Sequence, residues 1–195
     1  MDYGPTTALI VVDVQNDFAD PNGSLYVDGG EDVIPFINEQ VRAAAEAGSM
    51  VVLTQDWHPP STPHFAEDGG TWPVHCVGGT FGAEFHPSLD RIDGATIVRK
   101  GVNGEDGYSA FSLWDTESST SSETGLVDQL RARGVTRVVV VGLALDYCVQ
   151  ATALDAVDRG FATGLLADGT AAVNLRPGDG SRAVATLVAA GVEIR

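Results

Sequence analysis

The sequence has few basic residues, little cysteine and no long apolar run. Of its 11 basic residues, ten are arginine and only Lys100 is lysine. No stretch of about 18 consecutive apolar residues occurs, so the sequence predicts no transmembrane helix. The first residues, MDYGPTTALIVVDV, lack the basic start and the small-residue cleavage site of a signal peptide. We therefore expect a cytoplasmic protein.

The scarcity of cysteine and of positive charge restricts the partners of the chain. Cys76 and Cys148 could form one disulfide at most, and a cytosolic environment would keep both reduced. The 27 acidic residues outnumber the 11 basic ones, which gives a net charge of −16. Such a charge repels nucleic acids and anionic membranes. We expect neither as a partner, and the sequence leaves open whether the chain forms a homo-oligomer.

The apolar residues indicate an α/β fold. At 195 residues with 44% hydrophobic content, the chain can bury one sizeable core, and we expect a single domain spanning residues 1–195. Short β-rich runs alternate with amphipathic helical stretches, as in βαβ proteins with a parallel sheet. The predicted strands are Ala8–Val14, Met50–Thr54, Ala95–Val98, Arg137–Leu143, Ala162–Leu166 and Val192–Ile194.

Helices are predicted between these strands, and two irregular segments remain. The predicted helices are Asp32–Ala47, Gly125–Arg133, Tyr147–Arg159 and Ser181–Ala190, and several are followed by glycine. The segment Asp56–Asp93 is far longer than a usual connection, which favours a functional role. The polar segment DTESSTSSETG, residues 115–125, is predicted as an exposed loop or the lead into a helix, with a lid or subunit contact as the alternative.

Polar residues end or follow four predicted strands at the level where α/β sheets bind ligands. Asp13, Asp56, Lys100 and Cys148 are these residues. Each has an ordinary alternative: a capping carboxylate, a surface lysine or an inert buried thiol. Together, a thiol at the start of a helix, a partly buried carboxylate and a cation are the groups required for acyl transfer. The sequence therefore favours a cysteine nucleophile.

The segment TQDWHPPSTPHF contains two of the four histidines of the chain beside a carboxylate. Asp56 and His58 project to the same side of an extended chain. His64 could fold back across the prolines, and His75 could supply a third imidazole. One carboxylate and three imidazoles suit zinc, iron or manganese. The alternative is a set of solvated loop histidines, and His86, without an evident partner, is interpreted as structural.

Five segments in this order resemble the nicotinamidases, also called pyrazinamidases, of the isochorismatase-like cysteine hydrolases. They are VVDVQNDF, TQDWHPPSTPHF, WPVHCVGGTFGAEFHPSL, VRKG and VVVVGLALDYCVQATALDA. The resemblance implies a three-layer α/β/α sandwich with a six-stranded parallel sheet. It also implies a catalytic triad of Asp13, Lys100 and Cys148. One divalent metal ion is implied at Asp56, His58, His64 and His75.

The same resemblance implies the features of a substrate pocket. A cis peptide bond is expected between Leu143 and Ala144, with the amides of Ala144 and Cys148 forming an oxyanion hole. The aromatic residues expected around a pyridine ring are Phe18, Trp72 and Tyr108. Two positions depart from the family pattern: Tyr147 stands where histidine is frequent, and Leu145 stands where threonine is common.

The activity implied is hydrolysis of nicotinamide to nicotinate and ammonia through a cysteine thioester, in NAD salvage, with pyrazinamide as a further substrate. The alternative within the superfamily is a hydrolase of another amide, ureide or vinyl ether, which would not need the four metal ligands together. A non-catalytic nucleotide-binding module is the alternative from another class, but VVDVQNDF lacks the glycine-rich phosphate turn. A phosphatase is disfavoured because Asp13 has no second carboxylate two residues later.

Overall fold

The computed structural model describes residues 2–115 and 118–195 and has a central sheet of six parallel strands. The strands within these ranges are β1 (Thr7–Val12), β2 (Met50–Asp56), β3 (Thr96–Lys100), β4 (Ser112–Asp115), β5 (Thr120–Glu123), β6 (Arg137–Leu143), β7 (Ala162–Ala171) and β8 (Glu193–Ile194). The sheet order is β3-β2-β1-β6-β7-β8, and β4 and β5 form a separate antiparallel pair. All six predicted strands are therefore present.

The helices in the described part of the chain lie between the strands of the sheet. They are α1 (Asn16–Ala19), α2 (Ile34–Glu46), α3 (Leu126–Ala132), α4 (Gln150–Asp158) and α5 (Asp179–Ala189). A π-helical turn, Leu145–Val149, leads directly into α4. None of these helices is long and apolar enough to cross a bilayer.

Two apolar clusters on opposite faces of the sheet produce three layers. Every residue of β1 is buried, and successive side chains of a strand point to opposite faces. Leu9 and Val11 pack in a cluster that contains the buried face of α2. Ala8, Ile10 and Val12 pack in a second cluster with buried residues of α3, α4 and α5. The expected three-layer α/β/α sandwich is confirmed.

The strand order reverses at β1, and this reversal determines where a ligand can bind. From β1 the chain proceeds outward through β2 and β3, and later returns to β6 on the other side of β1. The connections after β1 and β6 therefore leave in opposite directions and open a crevice at the carboxyl ends of these strands. Asp13 follows β1, and Cys148 lies in the turn that follows β6.

The hairpin of β4 and β5 corrects one prediction. Residues 115–125 were expected to form an exposed loop or the lead into a helix, but Thr120–Glu123 is a strand paired with Ser112–Asp115. All four residues of β5 are exposed, so this strand has no apolar alternation from which it could have been recognised. Residues 116 and 117 lie outside the described part of the chain. A lid or subunit contact at this hairpin stays a prediction.

Smaller differences concern the ends of the elements. β1 ends at Val12 rather than Val14, because Asp13 adopts a left-handed backbone conformation with φ of 48°. β7 continues to Ala171, five residues beyond the predicted end at Leu166. The short helix α1 was not predicted, and a helix of 4 residues has too little periodicity to be recognised.

Candidate active site

Lys100, the last residue of β3, lies at the centre of a buried cluster of charges. Its side chain is buried, and its Nζ lies 2.7 Å from Asp13 Oδ2 and 2.9 Å from Asp56 Oδ1. Nζ also donates to the carbonyl oxygens of Gly107 and Tyr108, at 3.3 and 3.1 Å. Burial opposes the charged form, but Asp13 and Asp56 outweigh it and raise the pKa of Lys100 well above its usual value. The ammonium group is therefore permanently charged at neutral pH.

Asp13 lies beneath the crevice with its carboxylate held from two sides. Oδ2 contacts Lys100, and Oδ1 accepts a hydrogen bond of 2.5 Å from the Thr54 hydroxyl. Burial raises the pKa of Asp13, while the attraction of Lys100 opposes that rise. A carboxylate with a raised pKa is a stronger base than an exposed aspartate. Asp13 is therefore suited to accept a proton from a neighbouring group.

That neighbouring group is the Cys148 thiol, whose sulfur lies within 4.8 Å of a carboxylate oxygen of Asp13. The Cys148 residue is only 6% exposed, and it lies in the π-helical turn. Burial raises the pKa of the thiol well above its usual value, and Lys100 only partly opposes this. The raised pKa favours the neutral thiol, so a base is needed to convert it into a thiolate. The structure thus brings together the three residues of the expected triad.

Asp56, His58 and His75 form a second cluster beside this one. Each offers a ligand atom, and the three atoms lie within 4.8 Å of one another. Burial raises the pKa of Asp56, but Lys100 and His58 outweigh burial and hold it well below its usual value. The Nδ1 of His75 donates to the Pro73 carbonyl oxygen at 2.7 Å, which leaves Nε2 as the free donor atom for a metal.

His64 lies next to this cluster but outside the 4.8 Å group. Its ring centroid is 4.3 Å from that of His58, and its Nε2 is buried without a hydrogen-bond partner in the described residues. Burial, with His58 nearby, lowers the pKa of His64 to about 4. A neutral imidazole with an unpartnered buried nitrogen is what a metal ligand requires. The four predicted ligands therefore have the chemistry that a divalent ion requires. Three of them have ligand atoms within 4.8 Å of one another, and His64 lies beside these three.

One cavity connects the two clusters, with a volume of about 540 Å³ including its open mouth. Cys148 and Ala144 line one side of it, and the carboxylate and histidines of the second cluster line another. The Leu143–Ala144 peptide bond is cis, as the resemblance implied. Asp13 and Lys100 do not line the cavity, but Lys100 contacts Asp56 and Asp13 lies close to Cys148, and both of these partners line it. A molecule in the cavity can therefore contact the thiol and the histidines simultaneously.

Four aromatic side chains also line this cavity, namely Phe18, Trp72, Tyr108 and Tyr147. Phe18 lies against His75, with ring centroids 5.6 Å apart. Trp72 Nε1 donates to the Tyr108 hydroxyl at 3.1 Å, which links two separate loops. Tyr147 contacts both rings edge-on, with centroids 5.1 Å from Trp72 and 5.6 Å from Tyr108. The three predicted pocket residues thus meet at the cavity, together with Tyr147.

Two supporting residues were not singled out in the sequence. Gln15 donates to the carbonyl oxygens of Asp56 and Ala83 at 2.7 and 2.8 Å, and it accepts from the Asp56 amide at 2.8 Å. Gly101 has φ of 74°, and a Cβ there would lie 2.4 Å from His58 Nδ1. Gln15 follows an apolar strand, and Gly101 follows Lys100. Their proximity in the sequence to predicted site residues was the signal that could have identified them as part of the site.

This fold and this site together define the class of the protein. It is a doubly wound α/β protein with a small-molecule cavity where the strand order reverses. Residues 7–194 match the Isochorismatase domain family, and the chain belongs to that family. The resemblance noted in the sequence is thereby confirmed.

Individual relatives show which members of the family the chain resembles. The chain is 44% identical to the nicotinamidase/pyrazinamidase of Mycobacterium tuberculosis, over 86% of this chain and 87% of the relative. The crystal structure of a Pyrococcus horikoshii pyrazinamidase in complex with zinc has 41% identity and a TM-score of 0.87, covering 98% of this chain and 99% of the other. The PnC1 protein of L. infantum in complex with nicotinate has 40% identity and a TM-score of 0.88, covering 100% and 95%.

Proposed function

We propose that the protein is a metal-dependent cysteine amidase that hydrolyses nicotinamide to nicotinate and ammonia, as a step of NAD salvage. The observation that carries this proposal is the single cavity between a buried thiol and an Asp/His cluster. Relatives that match nearly the whole chain are nicotinamidases, and one related structure contains nicotinate. Pyrazinamide, a similar aromatic amide, is proposed as a further substrate.

The first half of the reaction forms a thioester on Cys148. Asp13 takes the thiol proton, and Sγ attacks the carboxamide carbon of the substrate. The amides of Ala144 and Cys148 donate to the oxyanion that develops on the carboxamide oxygen. Collapse of this intermediate breaks the carbon–nitrogen bond, and the proton held by Asp13 passes to the departing ammonia. Lys100 stabilises the negative charge that moves between the thiol and Asp13.

The second half of the reaction restores the thiol. A water molecule attacks the thioester carbonyl carbon and loses a proton to Asp13, the same oxyanion donors act again, and the carbon–sulfur bond breaks. The proton returns from Asp13 to the Cys148 sulfur, the new carboxyl group loses the second proton of the water to solvent, and nicotinate leaves the cavity. The carboxylate is thus base in one step and acid in the next, which its raised pKa favours.

The role of the Asp/His cluster is to orient the aromatic ring. A divalent ion held by Asp56, His58, His64 and His75 supplies, when bound, a contact for the pyridine nitrogen, directly or through water. Zinc, iron and manganese all suit this ligand set, and metal analysis of the purified protein identifies the ion. Phe18, Trp72, Tyr108 and Tyr147 enclose the ring from its other sides.

Ammonia release from nicotinamide by the purified protein tests the proposed activity. We expect ammonia and nicotinate in equal amounts, and we expect turnover to fall when the protein is treated with a chelator. A parallel assay on other amides and on ureides identifies a hydrolase with another substrate. Release from one of these, with none from nicotinamide, would overturn the proposal. A protein inactive on all of them would be a binding module.

Loss of a metal ligand should affect nicotinamide much more than benzamide. Benzamide has the same carboxamide but no ring nitrogen. His58→Ala and His64→Ala are expected to lower kcat/KM for nicotinamide by about a hundredfold, the cost of misplacing a reacting group by about an ångström. The kcat/KM for benzamide, already low in the parent, should change only a few-fold. Steady-state kinetics on both amides measures this difference.

His86→Ala is the matched control for the histidine variants, because His86 lies outside the cavity and its Nδ1 accepts a hydrogen bond from the Ser88 amide at 3.3 Å. This control should retain the parent's kcat/KM on both amides. If benzamide and nicotinamide lose activity equally in the ligand variants, the ion does not act through the ring nitrogen, and its proposed role is wrong.

Tyr147 should influence which aromatic amides are accepted. Tyr147→Ala removes two edge-on ring contacts, each worth about 0.5–1.5 kcal/mol. We expect roughly a tenfold lower kcat/KM for nicotinamide, together with a higher relative rate on nicotinamides that carry an alkyl group on the ring. Tyr147→Phe keeps the ring and should behave like the parent. An unchanged preference in Tyr147→Ala would exclude this residue from substrate selection.

Two further expectations stay predictions. These are one domain spanning residues 1–195 and location in the cytoplasm. The sequence leaves the oligomeric state open, and light scattering of the purified protein measures it.

A further inference from the structure

Thr62 joins the proposed metal site to a second loop. The residue is only 2% exposed, and its Oγ1 lies 2.9 Å from His64 Nδ1. The same Oγ1 lies 3.3 Å from the carbonyl oxygen of Gly104, in the loop after β3. One hydroxyl therefore touches a proposed metal ligand and a backbone acceptor in another loop.

The directions of these two hydrogen bonds follow from the number of available protons. A hydroxyl carries one proton, and the Gly104 carbonyl can only accept. When Thr62 donates to Gly104, its oxygen accepts the Nδ1–H of His64, and the His64 lone pair is then at Nε2. In the opposite arrangement, the proton of His64 would be at Nε2. That atom is buried and has no partner in the described residues, so an N–H there would lack an acceptor.

We propose that Thr62 is a positioning residue that holds His64 in the tautomer with its Nε2 lone pair directed at the metal. His75 is held in the same way, because its Nδ1 donates to the Pro73 carbonyl oxygen at 2.7 Å. The difference is that the partner of His64 is a side chain and can be removed by substitution. The inference rests on the proposed metal site, and it adds a determinant of metal affinity to it.

The backbone of Thr62 has a separate task that must be kept constant in a test. Its amide donates to Asp68 Oδ2 at 2.9 Å, which anchors the corner of the loop. Thr62→Val retains this amide and the branched shape of the side chain, and it removes only the hydroxyl. Thr62→Ser retains the hydroxyl and removes the methyl group. The pair of variants separates hydrogen bonding from packing.

Metal affinity, measured without turnover, tests the proposal. Chelator-treated protein is titrated with Zn²⁺ in competition with a chromophoric chelator, and with Co²⁺, whose visible spectrum reports its coordination. Loss of the partner of a ligating histidine typically weakens metal binding about 10- to 100-fold. We expect a change of this size and an altered Co²⁺ spectrum in Thr62→Val, with values near the parent's in Thr62→Ser. Thr80→Val removes an exposed threonine hydroxyl from the same long segment and should match the parent.

The outcomes separate this inference from the proposed amidase activity. Parent-like affinity and spectrum in Thr62→Val would overturn the role of Thr62 while leaving nicotinamide hydrolysis by the parent unaffected. Equal weakening in Thr62→Ser and Thr62→Val would also overturn it, because packing rather than the hydroxyl would then set the affinity. A parent protein that binds neither Zn²⁺ nor Co²⁺ would remove the metal site itself.

Discussion

Cys148→Ala is expected to release ammonia from nicotinamide at less than about one-thousandth of the parent rate, since loss of a nucleophile from a catalytic triad can cost roughly a millionfold. The thiol lies at the cavity, with its sulfur within 4.8 Å of an Asp13 carboxylate oxygen, and Cys76, the other cysteine, does not line the cavity. The substitution removes only one sulfur atom from a buried site, so the fold should persist. Initial rates, with circular dichroism and metal content measured on the same samples, check this expectation.

Cys76→Ala is the matched control for this experiment. Cys76 is the other free cysteine and is fully buried, with its sulfur 3.9 Å from the Gly82 carbonyl oxygen. Its variant should retain most of the parent activity, because the sulfur has no place in the proposed chemistry. Substantial turnover by Cys148→Ala, with folded protein and normal metal content, would contradict the covalent mechanism.

Lys100→Met is expected to lower the free energy of unfolding by about 3–5 kcal/mol, the usual cost of removing one partner from a buried ion pair. The substitution leaves Asp13 and Asp56 buried without the cation that contacts both. A loss of this size is a large part of the total stability of a domain, about 5–15 kcal/mol. Urea unfolding at fixed pH and fixed free metal concentration measures it, because metal binding also adds to stability.

Arg137→Met serves as the control for the loss of an ion pair. Arg137 Nη1 lies 3.0 Å from Glu193 Oε2, and both side chains are more than a third exposed. An exposed pair of this kind contributes less than about 1 kcal/mol. Adding Asp13→Asn to Lys100→Met should recover part of the loss, since it removes one of the uncompensated charges. A loss in Lys100→Met no larger than in Arg137→Met would contradict the central role of Lys100.

The sequence was sufficient to predict the centre of the sheet because β1, β2 and β6 are buried on both faces. Near-continuous apolar runs such as Arg137–Leu143 have no polar face, and β6 has the predicted bounds. The hairpin of β4 and β5 escaped prediction for the opposite reason, since β5 is polar and exposed throughout. Its pairing depends on contacts with β4, which no local pattern encodes.

The sequence was sufficient to predict those residues of the candidate site whose reactive side chains lie at the end of a strand. Asp13, Lys100 and Cys148 each follow or end a predicted strand, so the parallel topology brings them to one edge of the sheet. The supporting residues were not predictable in this way. Thr62 lies in a proline-rich loop whose path depends on its contacts with Asp68 and Gly104. Its link to His64 is a consequence of tertiary structure that local propensity does not specify.

Capture of the acyl-enzyme is the measurement that tests the central claim most directly. The protein is mixed with nicotinamide, quenched in acid within a turnover and examined by peptide mass spectrometry. The account predicts one nicotinoyl group, attached to the peptide that contains Cys148, which disappears as nicotinate accumulates and is absent in Cys148→Ala. Steady hydrolysis with an unmodified Cys148 peptide at every quench time, and with turnover retained in Cys148→Ala, would contradict it.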